Sequence, residues 1–205
     1  MNARRWLLGG GAMVMALAGV LAASAAAFSA EAVVAERAGK DRWMRENPQS
    51  PFNHEAHRVA FSPLRYFPPD ASWVFESTLT VYPEPEAVTI LDTKGRERKG
   101  DVFGYLSFTR EGVKHAVRVY RMRMVGGHPY YAIWFTDRTT GESTYDVGRY
   151  LDFEYTPDPA HVYTLDFNAA YNPYCAYTPA YGCPIPREED YIDLAVTAGE
   201  KTWHE

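Results

Sequence analysis

Three stretches of the chain concentrate side chains that could do chemistry. The first is Thr136-Asp137-Arg138-Thr139-Thr140-Gly141-Glu142-Ser143-Thr144-Tyr145, directly after the apolar run Ala132-Ile133-Trp134-Phe135. A polar loop leaving a buried strand is a common place for a site. The second is Gly148-Arg149-Tyr150-Leu151-Asp152. On a strand, Arg149 and Leu151 share one face and Tyr150 and Asp152 the other. If Leu151 faces the core, Arg149 is buried with it and needs a carboxylate or a ligand. Glu142, Asp152 and Asp166 are the carboxylates considered for it. The third stretch runs from Leu165 to Tyr177, where Asp166, Asn168 and Asn172 lie among Tyr171, Tyr174 and Tyr177.

Two chemistries fit these residues. A binding module would set Tyr145, Tyr150 and Tyr171 around a pocket with Asp152, Asn168 and Asn172. Arg149 would pair bidentately with the carboxylate or phosphate of a small anionic or polar ligand. A hydrolase would use Glu142 and Asp166 as general acid and base, with Tyr145 or Tyr150 donating a hydrogen bond. That reading needs both carboxylates on one concave face with separated pKa values.

Other chemistries lack their residues. There is no Gly-x-Ser-x-Gly elbow, phosphate-binding loop, dinucleotide glycine fingerprint or His-Glu-x-x-His. His54 and His57 flank Glu55, but the segment is broken by prolines, so no metal site is expected there. The net charge of −5 argues against a nucleic-acid partner, because phosphate contacts need a basic surface.

The elements that must position these groups are mostly strands. Residues 30–47 read as a helix, with Val33, Val34, Arg37, Asp41 and Met44 as an imperfect stripe ended by Pro48. Residues 49–72 are punctuated by prolines and read as an irregular wrap. Strands are expected at 73–82, 87–93, 101–109, 113–124, 130–136, 147–155, 161–168 and 191–198. Arg110-Glu111-Gly112 is read as a hairpin turn, and a bulge is expected in 113–124. Aromatic residues make up 15% of the 205 residues, which favours strands. The expected class is mainly β: an N-terminal helix, then a twisted antiparallel sheet closing toward a barrel or sandwich.

Residues 1–30 read as an export signal and residues 31–205 as a single β-rich domain. Arg4 and Arg5 precede an uncharged apolar run, Trp6 to Ala27, which ends on small residues. Arg4-Arg5-Trp6-Leu7-Leu8 resembles a twin-arginine signal. The destination is periplasmic or extracellular. A membrane would be met only through residues 6–27, if the segment is retained as an anchor. Cys175 and Cys183 are the only cysteines, and in an exported chain an even count reads first as a disulfide. A two-thiolate metal site and redox chemistry remain alternatives.

Taken in order, further motifs join the three stretches. They are Ala170-Tyr171-Asn172-Pro173, Cys175-Ala176-Tyr177, Cys183-Pro184-Ile185-Pro186, Leu64-Arg65-Tyr66-Phe67-Pro68-Pro69-Asp70 and Ala198-Gly199-Glu200-Lys201. Over about residues 30–201 this set resembles the domain-of-unknown-function family numbered sixteen-eighty-four, found in bacteria and archaea. The resemblance implies shared polar positions at Glu142, Tyr145, Arg149, Tyr150, Asp152, Asp166, Asn168, Tyr171 and Asn172, with both cysteines. It implies no particular reaction, and the cofactor is left unknown. Where the family has Glu-Asn, this chain has Glu189-Asp190. Family members without an export signal keep the cysteine pair, which leaves a ligand or metal role open beside a disulfide.

Overall fold

The computed structural model describes residues 28–123 and 126–204. The signal reading on residues 1–27 lies outside them. Helix α1 spans Ala30–Glu46 and starts on Ser29, whose hydroxyl accepts the Ala32 N–H at 3.1 Å. Among the described residues eight strands follow: β1 Val74–Thr78, β2 Thr80–Leu91, β3 Glu97–Arg110, β4 Val113–Arg123, β5 Pro129–Asp137, β6 Arg149–Asp152, β7 Val162–Asp166 and β8 Tyr191–Ile192.

Strands β2-β3-β4-β5-β6 form an antiparallel run in that order, and β8 adds to β5 in parallel. Strands β1 and β7 pair separately. The class is mainly β with one helix, as expected. The large sheet does not close into a barrel. Its β2 edge carries Pro83 and Pro85, which have no N–H to offer a closing strand. Instead the sheet is covered on both faces. Across one face Trp73, Leu165 and Phe167, from β1, β7 and their ends, pack on Leu106, Val119, Ile133, Phe135 and Leu151. On the other face Ile90, Val102, Tyr120, Met122, Trp134 and Tyr150 pack with Cys183, against Tyr171, Cys175 and Tyr181. Cover on both faces explains why β3 from Gly100 to Gly104 is buried without alternation.

The expected hairpin forms at Glu111 and Gly112, with φ of 52° and 77° and Arg110 opposite Val113. Three expectations are corrected. The two strands read at 73–82 and 87–93 divide at Leu79 instead, giving short β1 and long β2, whose register slips between Val81 and Glu86. The bulge lies on β3, between Val102 and Gly104, and not on β4. The last strand stops at Ile192 rather than 198. Beyond it the carbonyls of Val196, Ala198 and Glu200 accept from the Arg149 guanidinium, so that side chain takes the place of a neighbouring strand.

Candidate functional site

Helix α1 buries one apolar residue, Met44, and docks largely through polar groups on the 33-37-40-41-44 face. Arg37 donates to the carbonyls of Phe67 at 2.7 Å and Asn168 at 3.1 Å. Asp41 accepts the Leu64 N–H at 3.2 Å. Lys40 pairs with Glu200, a buried carboxylate that also accepts from Asn172 N–H at 2.7 Å and Tyr177 Oη at 2.6 Å.

This docking leaves a cleft of about 580 Å³ between α1 and the segment 169–183. Lys40, Met44, Tyr150, Asp152, Tyr171, Tyr174, Tyr181 and Cys183 are on its walls. The Lys40 ammonium sits 4.9 Å from the centre of the Tyr171 ring. Tyr171 donates to Asp152 Oδ1 at 2.7 Å, and burial, with the Asp152 charge, pushes its phenol pKa up. Tyr150 donates to the carbonyl of Pro184, and burial raises its pKa too. Both phenols are therefore neutral donors at ordinary pH. A smaller cleft of about 260 Å³ lies beside it, with Arg37, Tyr66, Asp166 and Asn168 on its walls.

Arg149 is 1% exposed, so the alternation argument that buried it with Leu151 agrees with the structure. Its carboxylate is none of the three considered. Asp137 Oδ2 lies 2.9 Å from the guanidinium, at the end of the neighbouring strand. Phe135 is registered opposite Arg149, and Asp137 follows two residues on, on the same face. Burial lowers the Arg149 pKa and Asp137 opposes that shift. Both terminal nitrogens of the guanidinium bond inside the protein, its buried Nε has no partner among the described residues, and Arg149 is on the wall of neither cleft described above.

The remaining polar candidates divide by location. Tyr150, Asp152 and Tyr171 come together in the large cleft. Asn168 is buried and ties Asp70 to the sheet, donating to its carbonyl at 2.9 Å and accepting its N–H at 2.8 Å. Asn172 is buried and donates to the Lys201 carbonyl at 2.8 Å. Asp166 accepts from Asn168 N–H at 2.8 Å and caps a short turn. Glu142 is exposed in the turn between β5 and β6, and the wall of the smaller cleft holds Asp166 without it. Lys40 and Glu200 were not among the sequence candidates. Their signal was present: a lysine on the inward face of α1, and a glutamate after Gly199 in a stretch that becomes buried.

Cys175 is half-buried and Cys183 is buried, both as free thiols. Cys183 Sγ accepts the Cys175 N–H at 3.2 Å. Tyr145 Oη donates to Cys175 Sγ at 3.8 Å. Hydrogen bonds from Cys183 and Tyr145 hold the Cys175 thiol down to about 7, against the opposing effect of burial. Sharing that bond and burial push the Cys183 thiol up. Among the described residues no group of three or more His, Cys, Asp or Glu is placed to hold a metal ion.

A family model described as "Protein of unknown function (DUF1684)" matches residues 59–201. It contains the cysteines, Asp137, Arg149 and Glu200, and it begins after α1. An uncharacterised protein of Haloarcula marismortui, solved in solution by NMR, is 35% identical, with a TM-score of 0.60 over 84% of this chain and 93% of that one. No curated protein matches.

Proposed function

Because the chain belongs to the DUF1684 family of unknown function, we propose a function from the cleft itself: an exported module that holds a small polar or anionic molecule between α1 and residues 169–183. The observation that carries this reading is the cleft of about 580 Å³, a size suited to a small molecule, with four tyrosines and one cation on its walls. The cation is Lys40 rather than Arg149. An ammonium has three donors, and the Glu200 contact uses one of them. The tyrosine rings would cover the body of the molecule and Lys40 would meet its anionic or polar end. Asp152, exposed and already accepting from Tyr171, would favour a hydroxyl or amine nearby. Export rests on the charged start and apolar run of residues 4–27.

Native mass spectrometry of protein purified from the cell envelope tests the reading. A bound small mass is expected in the wild type and is expected to be lost in Lys40→Met and in Tyr171→Ala. Wild type without any bound species, together with no binding of an aromatic sulfonate probe that Lys40→Met weakens, refutes it.

A further inference from the structure

We propose that Cys175 and Cys183 form a reactive dithiol that exchanges with low-molecular-weight disulfides, with Cys175 attacking and Cys183 resolving. Cys183 is on the wall of the cleft, so a molecule bound there would cover it, but the inference does not depend on which molecule that is. Three observations carry it.

The first is proximity. The Cys175 N–H donates to Cys183 Sγ at 3.2 Å, which sets the two cysteines side by side. The second is asymmetry. Cys175 is half-buried and Cys183 is 7% exposed, so a reagent reaches them unequally. The third is the set of donors. Tyr145 Oη points at Cys175 Sγ from 3.8 Å, and the hydroxyl of Thr93 and the Cys183 thiol add to it. A donor aimed at that sulfur stabilises its thiolate and makes it the nucleophile.

The resolving cysteine is held still. Its N–H donates to Thr93 Oγ1 at 3.2 Å and its carbonyl accepts from Thr93 N–H at 3.0 Å. Arg98 donates to the Gly182 carbonyl at 2.9 Å, and Lys94 to that of Ala180 at 2.6 Å. Cys175, by contrast, sits on a single short turn, Tyr174–Ala176. The more exposed partner is the one that must first accept an external sulfur.

The reaction balances as two exchanges. The Cys175 thiolate attacks one sulfur of a small disulfide, which breaks the S–S bond and expels one thiolate, protonated by solvent. Cys183 gives its proton to solvent and attacks Cys175 Sγ of the mixed disulfide, expelling the second. The dithiol is oxidised to a protein disulfide, and one small disulfide is reduced to two thiols.

Oxidised glutathione is the probe, with the full chain first reduced and desalted. Mass spectrometry should show the wild type losing two hydrogens and releasing two glutathiones. Cys183→Ser should accumulate one glutathione on Cys175, and Cys175→Ser should stay unmodified over the same time. Tyr145→Phe should move the pH dependence of the reaction upward, because the Cys175 thiolate loses a hydrogen-bond donor. A readout that needs no variant guards against misfolding: alkylation of wild-type Cys175 by iodoacetamide should titrate with a midpoint near 7. The titrating and charged groups around the pair are Tyr145, Tyr150 and the two thiols, with Asp146 beside Tyr145 and Arg98 beside Cys183. An alkylation midpoint at the ordinary thiol value of about 8.5 overturns the proposal. So does glutathione placed on Cys183, or a wild-type disulfide that stays closed in excess reduced glutathione.

Discussion

Replacing Arg149 with Met keeps the length of the side chain and removes every donor. In the native protein that guanidinium bonds Asp137 Oδ2 at 2.9 Å and the carbonyls of Val196 at 2.9 Å, Glu200 at 3.2 Å and Ala198. Asp137 would remain buried, holding Thr139 N–H at 2.8 Å and Thr139 Oγ1 at 2.6 Å, with its counter-charge gone. Breaking one side of a buried pair costs about 3–5 kcal/mol. For a domain of this size each kcal/mol lowers Tm by roughly 2–4 °C, so the expected fall is about 6–20 °C. The exposed pair Arg138–Asp193, with an N···O distance of 2.8 Å, is the control. Its side chains are 56% and 72% exposed, and Arg138→Met should cost at most about 1 kcal/mol. Urea unfolding of Arg149→Met, Asp137→Asn and the double variant completes a cycle. The two single losses should sum to more than the double loss by about 1–3 kcal/mol. A loss below about 1 kcal/mol for Arg149→Met, or additive losses, would refute the buried-pair argument.

Other outcomes follow from the same contacts. Asp92 is buried, and although burial opposes ionisation, bonds from Arg96 and Lys94 hold its carboxyl down to about 2. Its contribution is therefore complete above about pH 4 and disappears as pH falls toward 2, so Asp92→Asn should flatten the stability curve in that window. Asp190 carries the opposite sign: burial raises its pKa, so its ionisation costs stability as pH rises above 3.8, and Asp190→Asn should remove that slope in the same titration. At Gly199, with φ of 75°, a Cβ would meet the Ala170 carbonyl oxygen at 2.5 Å and the Phe167 oxygen at 2.8 Å. Gly199→Ala should cost more than Gly112→Ala, which shares the positive φ in open space and should lose only about 1–2 kcal/mol by thermal melting.

Much of the strand pattern was legible because apolar alternation and turn residues act locally. The hairpin at Glu111-Gly112 needs φ above zero at two adjacent residues, and the sequence offers a glycine there. The bulge was harder to place, since a two-residue period broken on β4 can be absorbed by an extra residue on the facing strand, here β3. The terminal strand was over-read for a similar reason. Residues 193–198 have strand composition, but the carbonyls of Val196 and Ala198 turn to the Arg149 side chain, which no local pattern reveals.

The candidate site divides along the same line. The chain alone marked Arg149 as buried and in need of a carboxylate, because Leu151 shares its face. It also marked Tyr150, Asp152 and Tyr171, which do meet in the cleft. Which carboxylate answers Arg149 was decided by the β5–β6 register, which brings Asp137 to it. Which cation faces the cleft was decided by how α1 docks, and Lys40 lies 160 residues from the Glu200 that holds it. Residue type and spacing determine what a side chain requires, through its charge, its donors and its face of the element. The identity of the partner is a long-range fact, because burial makes a charge find whatever opposite group the packed chain brings within about 3 Å.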